Sequence, residues 1–346
     1  MVSMRRAASG RLPELLPFKY GRMAASAFGF FRGAAPIMAA DLARLAVSGI
    51  AVQICGDAHV RNLGAYAAPD GRIVFDINDF DETLVGPWEW DLKRLATSFV
   101  LAGREASCPE RVCRDAAESV ARAWRESLAR FANMPALELA RYTIHRHLDE
   151  GPVHPVLRKA ERATPLVSLE KLTVKARRGL RRFAHRPPLL TRLPEEQARR
   201  VLRALMPYRE TVGPARQVVL DAYRAEDVAF KIVGTGSIGT RDYVVLAFGG
   251  PHDPLFLQVK QELASCWAPW SSRRQPAPHQ GRRVAAGGGP RCPGHADQAG
   301  QARPAGQVDA VGHPAGQSSH LQSEATDDHR RGRLGPQEPT DASNSP

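Results

Sequence analysis

A break in composition near residue 267 limits how much of this 346-residue chain can fold. From residue 267 to the end there is no Phe, Tyr, Ile, Met or Lys, and Gly, Pro, Gln, Ala, His and Arg dominate. Such a stretch cannot bury enough apolar surface to offset the conformational entropy lost on ordering. We therefore expect residues 267–346 to be disordered and the fold to lie before them.

The residues before the break predict an α+β fold. Residues 1 to about 100 combine short apolar strands, such as GIAVQICG and GRIVFDIND, with a helix at WEWDLKRLATSFVLAGRE. Residues 105 to about 225 place apolar side chains mostly at helical spacing, and residues 226–262 contain three β-rich runs joined by glycine-rich connections. A helical body with a small sheet is an α+β arrangement.

The overall balance of residues excludes some classes of protein. A net charge of +12 indicates an anionic partner, but we interpret the densest basic stretch, KARRGLRRFAHR at 175–186, as a solvated helix face and do not expect a nucleic-acid partner. No apolar run approaches the roughly 18 residues of a membrane span, so we expect a cytoplasmic protein with no membrane partner. The five scattered cysteines include no CxxC pair and are expected to be free thiols.

Two strand ends in the first section carry acidic and amide side chains. Asp57 and Asn62 follow the first apolar strand, and after a PDG turn at 69–71 a second strand runs into a further group, which consists of Asp76, Asn78, Asp79, Asp81 and Glu82. A hairpin-like return would bring the two ends together, where the carboxylates repel one another unless a cation or hydrogen-bond donors neutralise them. Such oxygen ligands suit Mg²⁺. Any one of these residues could instead be an ordinary turn or cap residue, but the whole pattern favours a site.

A glycine-rich segment, VGTGSIGTRDYVV, lies between two predicted strands. Its small residues, Gly234, Gly236, Ser237 and Gly239, let backbone N–H groups approach phosphates closely. A dinucleotide-binding segment would open a helix, whereas β-branched residues resume at once here. Lys260 lies on the third predicted strand and could bind phosphate or protect a sheet edge. Arg32, in SAFGFFRGAA, could also contact a phosphate because its planar guanidinium suits that geometry.

These segments together resemble known proteins. GDAHVRNLG resembles the catalytic loop of the aminoglycoside-phosphotransferase and protein-kinase-like superfamily, NDFD resembles its metal-binding element, and GPWEWDLKRLA is similar to the helix that follows. The combination of these with FGFFRGAA, VGTGSIGTR and LFLQVK resembles an uncharacterised bacterial family, domain of unknown function 2252. The resemblance covers about residues 20–100 and 226–262 and leaves the middle of the chain unsupported.

The resemblance implies a two-lobe kinase-like fold that binds a nucleotide, ATP, with Mg²⁺ and acts on an unknown acceptor. Asp57 would accept the proton of the attacking hydroxyl, Asn62 and Asp79 would hold the metal with Asp76 and Asp81 as competing ligands, and Lys260 would pair with phosphates. Cys55 stands where the superfamily often has histidine. The glycine segment follows the catalytic loop instead of preceding it, which implies a circular permutation.

The resemblance also suggests where the chain divides. We expect an N-terminal segment at 1–45, a catalytic-loop and helical lobe at 46–225, a partial β lobe at 226–266 and the disordered tail at 267–346. The resemblance ends near residue 262. The amino-acid composition beyond this point resembles the product of out-of-frame translation of a GC-rich gene, so we expect a truncated β lobe. Two other functions remain open: a catalytically silent nucleotide- or metal-binding scaffold, and a nucleic-acid-binding protein using the basic 171–216 region.

Overall fold

The computed structural model describes residues 10–68, 71–145, 151, 153–176 and 180–271, together with the backbone of one later strand. Its helices are α1 Leu16–Ala24, α2 Ala27–Gly33, α3 Ala35–Leu42, α4 Trp88–Glu105, α5 Glu110–Ala132, α6 Ala136–Arg141, α7 His154–Glu161, α8 Pro165–Leu172, α9 Glu195–Thr211 and α10 Pro214–Asp221. Its strands are β1 Ala51–Ile54, β2 Leu63–Ala67, β3 Ile73–Ile77, β4 Leu84–Pro87, β5 Ile144–His145, β6 Thr173–Lys175, β7 Arg181–Phe183, β8 Leu190–Arg192, β9 Arg224–Lys231, β10 Asp242–Gly250, β11 Asp253–Gln261 and β12 Val308–Gly312. This mixture confirms the α+β prediction.

Short antiparallel strands frame the acidic motif. β1 pairs with β4, and β2 pairs with β3, which also pairs with β5. The loop after β1 and the loop after β3 carry the two halves of the motif, so the hairpin return expected from the sequence is present. Pro69 and Asp70 of the predicted turn lie outside the described residues. α4 then begins directly after β4, at the residue where the sequence places it.

The middle of the chain is only partly helical. α5 and α9 are long helices within residues 105–225, where the sequence predicts mostly helical structure. The basic stretch at 175–186 is not a helix face as predicted, because it contributes to the β6–β7 hairpin, in which Phe183 is fully buried. Alternation along a short strand explains this: Phe183 faces inward, while the adjacent Arg182 is exposed on the opposite face.

The largest sheet is antiparallel, in the order β12-β11-β10-β9-β8. Its central strands β9, β10 and β11 are the three β-rich runs that the sequence predicts. Side chains alternate along β10, so that Tyr243, Val245 and Ala247 pack toward α9, whereas Val244 and Leu246 pack against Phe183 and Leu169. Both faces of the sheet are therefore covered, which explains why β10 is apolar along most of its length.

The ordered fold extends beyond the predicted break at residue 267. Trp267 is fully buried, stacks on Trp90 with 4.9 Å between ring centroids, and joins a core with Ile54 and Leu84. A short 3-10 helix follows at Ala268–Trp270. The prediction of disorder is therefore wrong for residues 267–271 and for β12, which pairs with β11; the remainder of the predicted tail lies outside the described residues. One large aromatic ring can anchor a polar segment that has no periodic pattern.

No helix in the described part of the chain is long and apolar enough to cross a membrane. The cysteines in this part, Cys55, Cys108, Cys113 and Cys266, are free, as predicted, and Cys292 lies outside it.

Trp267 and Trp270 offer a matched test of this anchoring. We expect Trp267→Ala to lower the free energy of unfolding by about 3–5 kcal/mol, because it removes a buried ring and leaves a cavity. Trp270→Ala should cost about 0.5 kcal/mol or less, since its side chain is 39% exposed. Chemical denaturation of both variants measures the difference, and equal losses would contradict the anchoring role.

Candidate functional site

The loop after β1 is held in one conformation by groups from three directions. Gly56 has a φ of +79°, and a Cβ on it would lie 2.1 Å from the Glu82 carbonyl oxygen, so only glycine fits. The Cys55 and Gly56 amides donate to the Asp91 carboxylate at 2.7 and 3.0 Å. The indole N–H of Trp267 donates to the Gly56 carbonyl at 2.6 Å. The loop that carries Asp57 is thus rigidly placed.

Asp57 forms an ion pair with a completely buried arginine. Arg94 Nε lies 2.6 Å from Asp57 Oδ1, and its NH2 group donates to the Phe31 carbonyl at 3.3 Å. The Arg94 guanidinium also lies over the Phe31 ring, 4.2 Å from its centroid. The Asp57 side chain itself remains 18% exposed. Arg94 therefore orients Asp57 while leaving part of its carboxylate accessible.

His59 and Asn62 complete this loop. His59 Nδ1 accepts the Asn62 amide at 3.1 Å, and its Nε2 faces Asp57 Oδ2 at 3.7 Å. Burial lowers the pKa of His59 to about 4, and the Arg32 and Arg94 cations act in the same direction, so the ring is neutral near pH 7 with its proton on Nε2. The Asn62 side-chain amide donates to the Asp57 carbonyl at 3.0 Å. Asn62 therefore supports Asp57 through a hydrogen bond, and His59 supports Asn62 while its ring faces the Asp57 carboxylate.

Cys55 departs from the superfamily pattern but is not reactive. Burial raises the pKa of its thiol, and the Asp91 carboxylate raises it further. Cys55 is therefore a neutral thiol at physiological pH. The bracing expected from a histidine at this position comes from Asp91 and Trp267, which hold the adjacent Gly56.

The loop after β3 lies beside this one. The Asn78 amide donates to the Asn62 carbonyl at 3.0 Å, and the Asp81 amide donates to Asp79 Oδ1 at 3.3 Å. Asp76, in contrast, is exposed on β3 opposite Gly64, and its carboxylate accepts the Ile77 amide. Of the predicted metal ligands, Asn62, Asp79 and Asp81 therefore lie at the junction of the two loops, while Asp76 lies out along the strand.

Carboxylate and amide oxygens, the kind of ligand that Mg²⁺ prefers, meet at this junction. The described residues contain no group of three or more His, Cys, Asp or Glu side chains that could hold a metal by themselves. Mg²⁺ needs fewer, because it usually binds through one or two carboxylates plus substrate phosphates and water. Asn78 Oδ1 is buried there without a hydrogen-bond partner in the described part of the chain. Asn62 and Asp79 could hold such an ion.

Lys260 from the large sheet reaches this junction. Its Nζ lies 3.2 Å from Asp81 Oδ2, although the two residues are 179 positions apart. Asp242, buried on β10, is the direct cross-strand partner of Lys260. Burial alone would lower the pKa of Lys260, but the carboxylates of Asp81, Asp79 and Asp242 raise it above its ordinary value. Lys260 is therefore a permanent cation facing the acidic loop.

The glycine segment is a loop between β9 and β10, as predicted. Gly239 has a φ of +93°, and Ser237 Oγ bonds both the N–H and the carbonyl of Gly234 at 3.2 Å, which closes a compact turn. Its carbonyl groups accept hydrogen bonds from the N-terminal segment. Within the described residues, the Gly236 and Ser237 amides have no acceptor. These two amides are therefore available to a ligand.

The N-terminal segment packs directly against the glycine loop. Lys19 on α1 donates to the carbonyls of Gly236 at 2.9 Å and Thr235 at 3.4 Å, and Arg11 donates to the Ile238 carbonyl at 2.8 Å. The Arg32 NH2 group lies 3.5 Å from the position that a Cβ on Gly234 would take. Arg32 is thus beside the glycine loop, where the sequence analysis places a phosphate contact.

Most of the predicted site residues lie around one junction, formed by the acidic loops, Lys260, the glycine loop and Arg32. Sequence reasoning missed Arg94, Asp91, Lys19 and Asp242. Arg94 and Asp91 could have been found, since both interrupt the apolar face of the helix that begins WEWDLKR, three residues apart on one side of it. Nothing local marks Lys19, because its partners lie more than 200 residues away.

The Arg94–Asp57 pair predicts an unusual stability effect. Asp57→Ala should lower the free energy of unfolding by about 3–5 kcal/mol because it leaves the Arg94 charge buried and unpaired. Asp57→Asn should lower the free energy of unfolding by less, since the amide oxygen can still accept a hydrogen bond from Arg94. Urea denaturation checks both, and the double variant Asp57→Ala, Arg94→Met should recover part of the loss. Wild-type stability in Asp57→Ala would show that the pair does not hold the fold.

Lys19 makes stability depend on pH. Burial lowers the pKa of Lys19 to about 7 and Arg11 adds to this, while Glu82 and Asp57 oppose it. Between pH 7 and its unfolded pKa, near 10.5, the unfolded chain binds a proton that the folded chain lacks, so Lys19 makes stability rise with pH. In this pH range, the free energy of unfolding of wild type should rise by up to about 1.4 kcal/mol per pH unit relative to that of Lys19→Met. Parallel pH dependences of unfolding for the two proteins would contradict this.

Comparison with known proteins gives a single family. The family described as an uncharacterised protein conserved in bacteria, DUF2252, matches residues 11–289. The match includes the middle of the chain, which the sequence analysis leaves unsupported, and continues past residue 262, where that analysis ends the resemblance. No curated protein and no solved structure matches the chain.

Proposed function

The chain belongs to the uncharacterised bacterial family DUF2252, and we propose that it is an ATP- and Mg²⁺-dependent phosphotransferase acting on a hydroxyl-bearing acceptor. The observation that carries the proposal is the contact of Lys260 with Asp81. This contact connects the large sheet, which carries the glycine loop, to the acidic loops, which carry Asp57 and Asp79. A phosphate-binding lysine, a small-residue loop and a metal-binding carboxylate beside a base are the parts that phosphoryl transfer requires.

Each group has a role in this proposal. Asp57 accepts the proton of the attacking hydroxyl, with Arg94 and His59 orienting its carboxylate. The Gly236 and Ser237 amides and Lys260 bind phosphate oxygens. Asn62 and Asp79 would hold Mg²⁺, with Asp81 as a further candidate. When bound, the nucleotide supplies the transferred phosphoryl group, and the metal neutralises charge on it.

The same placement supports a kinase-like two-lobe fold with permuted order. The catalytic loop precedes the glycine loop by more than 170 residues, yet the two loops face one junction through Lys260 and Lys19. Connection order is not what positions these groups, because the acidic loops link the β1–β4 pair to the β2–β3 pair, and the glycine loop links β9 to β10 within the large sheet. We therefore propose that the chain enters the acidic lobe first and the glycine-loop sheet second.

A catalytically silent nucleotide binder is the main rival function. Its support is the ion pair of Asp57 with a buried arginine, because the carboxylate oxygen that Arg94 binds is not free to accept a substrate proton. Phosphoryl transfer through a loose transition state requires little basicity, since positioning and charge stabilisation dominate it. Turnover therefore separates the two functions.

Calorimetry with a matched pair of variants tests the proposal. Wild-type protein should bind ATP only with Mg²⁺ present, and Asp79→Asn should weaken this binding at least about tenfold by removing a metal ligand. Asp115→Asn, at an exposed position on α5, should bind like wild type. A parallel assay measures phosphate transfer to hydroxyl-bearing acceptors.

Three outcomes discriminate the functions. Binding with turnover supports the transferase, and binding without turnover on any acceptor supports the silent binder. The third outcome is a folded protein that does not bind ATP but binds DNA with steep salt dependence, and whose DNA affinity is unchanged by Asp79→Asn. This result would indicate that the basic 171–216 region is a nucleic-acid-binding surface.

A further inference from the structure

Lys19 occupies a position that a structural lysine rarely takes. Its side chain is only 2% exposed, and the hydrogen bonds it makes in the described part of the chain are those to the Gly236 and Thr235 carbonyls. When it is protonated, this amine has three N–H donors, so one of them remains without a protein partner in the described part of the chain. Burying an incompletely bonded amine is costly, and an apolar side chain of similar length would avoid that cost. The position therefore indicates a use for the amine.

The surroundings of Lys19 indicate what would use the third donor. Its amine binds the carbonyls of the glycine loop and lies near enough to Asp57 and Glu82 of the acidic loops for both carboxylates to favour its charge. The proposed function places the phosphates of the nucleotide in this same gap, between the glycine loop and Asp57. A phosphate oxygen there would satisfy the remaining N–H and neutralise the cation.

We propose that Lys19 is a second phosphate-binding lysine of the nucleotide site, supplied by the N-terminal helix α1 and held under the glycine loop by the carbonyl groups of that loop. The inference rests on the proposed function and adds a ligand-binding residue to it.

The charged groups around Lys19 determine how it should respond to a phosphate. Arg11 from the segment before α1 disfavours its protonation, while Glu82 and Asp57 from the acidic loops favour it. In the free protein these groups leave the amine largely neutral above pH 7. A bound polyphosphate adds several negative charges, so the amine becomes protonated on binding. Nucleotide binding at pH 8 should therefore take up a proton from the buffer.

The test is calorimetric titration of Mg²⁺–ATP at pH 8 in two buffers with different ionisation enthalpies, which yields the number of protons taken up. Wild type should take up about one proton more than Lys19→Met. Lys19→Met should bind about 10- to 100-fold more weakly, the effect of losing a hydrogen bond from a charged group. Lys19→Arg, always charged, should keep most of the affinity without the extra proton. Lys171→Met, at an exposed position on α8, is the control and should match wild type.

The proton count distinguishes binding from a merely structural role. A Lys19 that only supports the loop would lower the affinity in Lys19→Met without changing the number of protons taken up. Equal proton uptake by wild type and Lys19→Met therefore overturns the inference while leaving the proposed function intact. No binding of Mg²⁺–ATP by folded wild type overturns the proposed function, and the inference with it.

Discussion

The buried guanidinium of Arg94 connects the elements that build the site. It bonds the Asp57 carboxylate, the Phe31 carbonyl at the end of α2 and the Met38 sulfur on α3, and it packs over the Phe31 ring. An arginine with no exposed surface is stable only when such partners replace water around its charge. Folding of the N-terminal helices and placement of Asp57 are therefore one event, because neither set of partners satisfies Arg94 alone.

The N-terminal segment has a second role, since it joins the two halves of the site. Its side facing the large sheet provides Arg11, Lys19 and Arg32 to the glycine loop, and its side facing α4 provides the Phe31 carbonyl to Arg94. The segment thus fixes the distance between the glycine loop and Asp57. If the glycine loop binds an anion through its amides, as proposed, then holding the loop through its carbonyls lowers the entropy lost on binding.

The parts of the site that the sequence predicts are those formed by short-range rules. Gly239 supplies a positive φ, Asp57 and Asn62 lie five positions apart on one loop, and Lys260 lies on the third of three β-rich runs. Lys19 could not be predicted in this way, because it is defined by partners more than 200 residues away. Trp267 was missed for a related reason: a single buried ring inside a polar stretch leaves no periodic signal, and its partner Trp90 lies far back in the sequence.

Lys260 and Lys19 are held by partners of different charge, and this difference has consequences for ligand binding. Lys260 bonds the carboxylate of Asp81 and stays charged, whereas Lys19 bonds neutral carbonyls and changes its protonation with its surroundings. Phosphate can join Lys19 without displacing anything, but it competes with Asp81 for Lys260. A cation bound at Asp79 and Asp81 would relieve that competition by drawing the Asp81 carboxylate away from the lysine. On the proposed function, metal and nucleotide binding are therefore mutually dependent, because each removes a charge conflict that opposes the other.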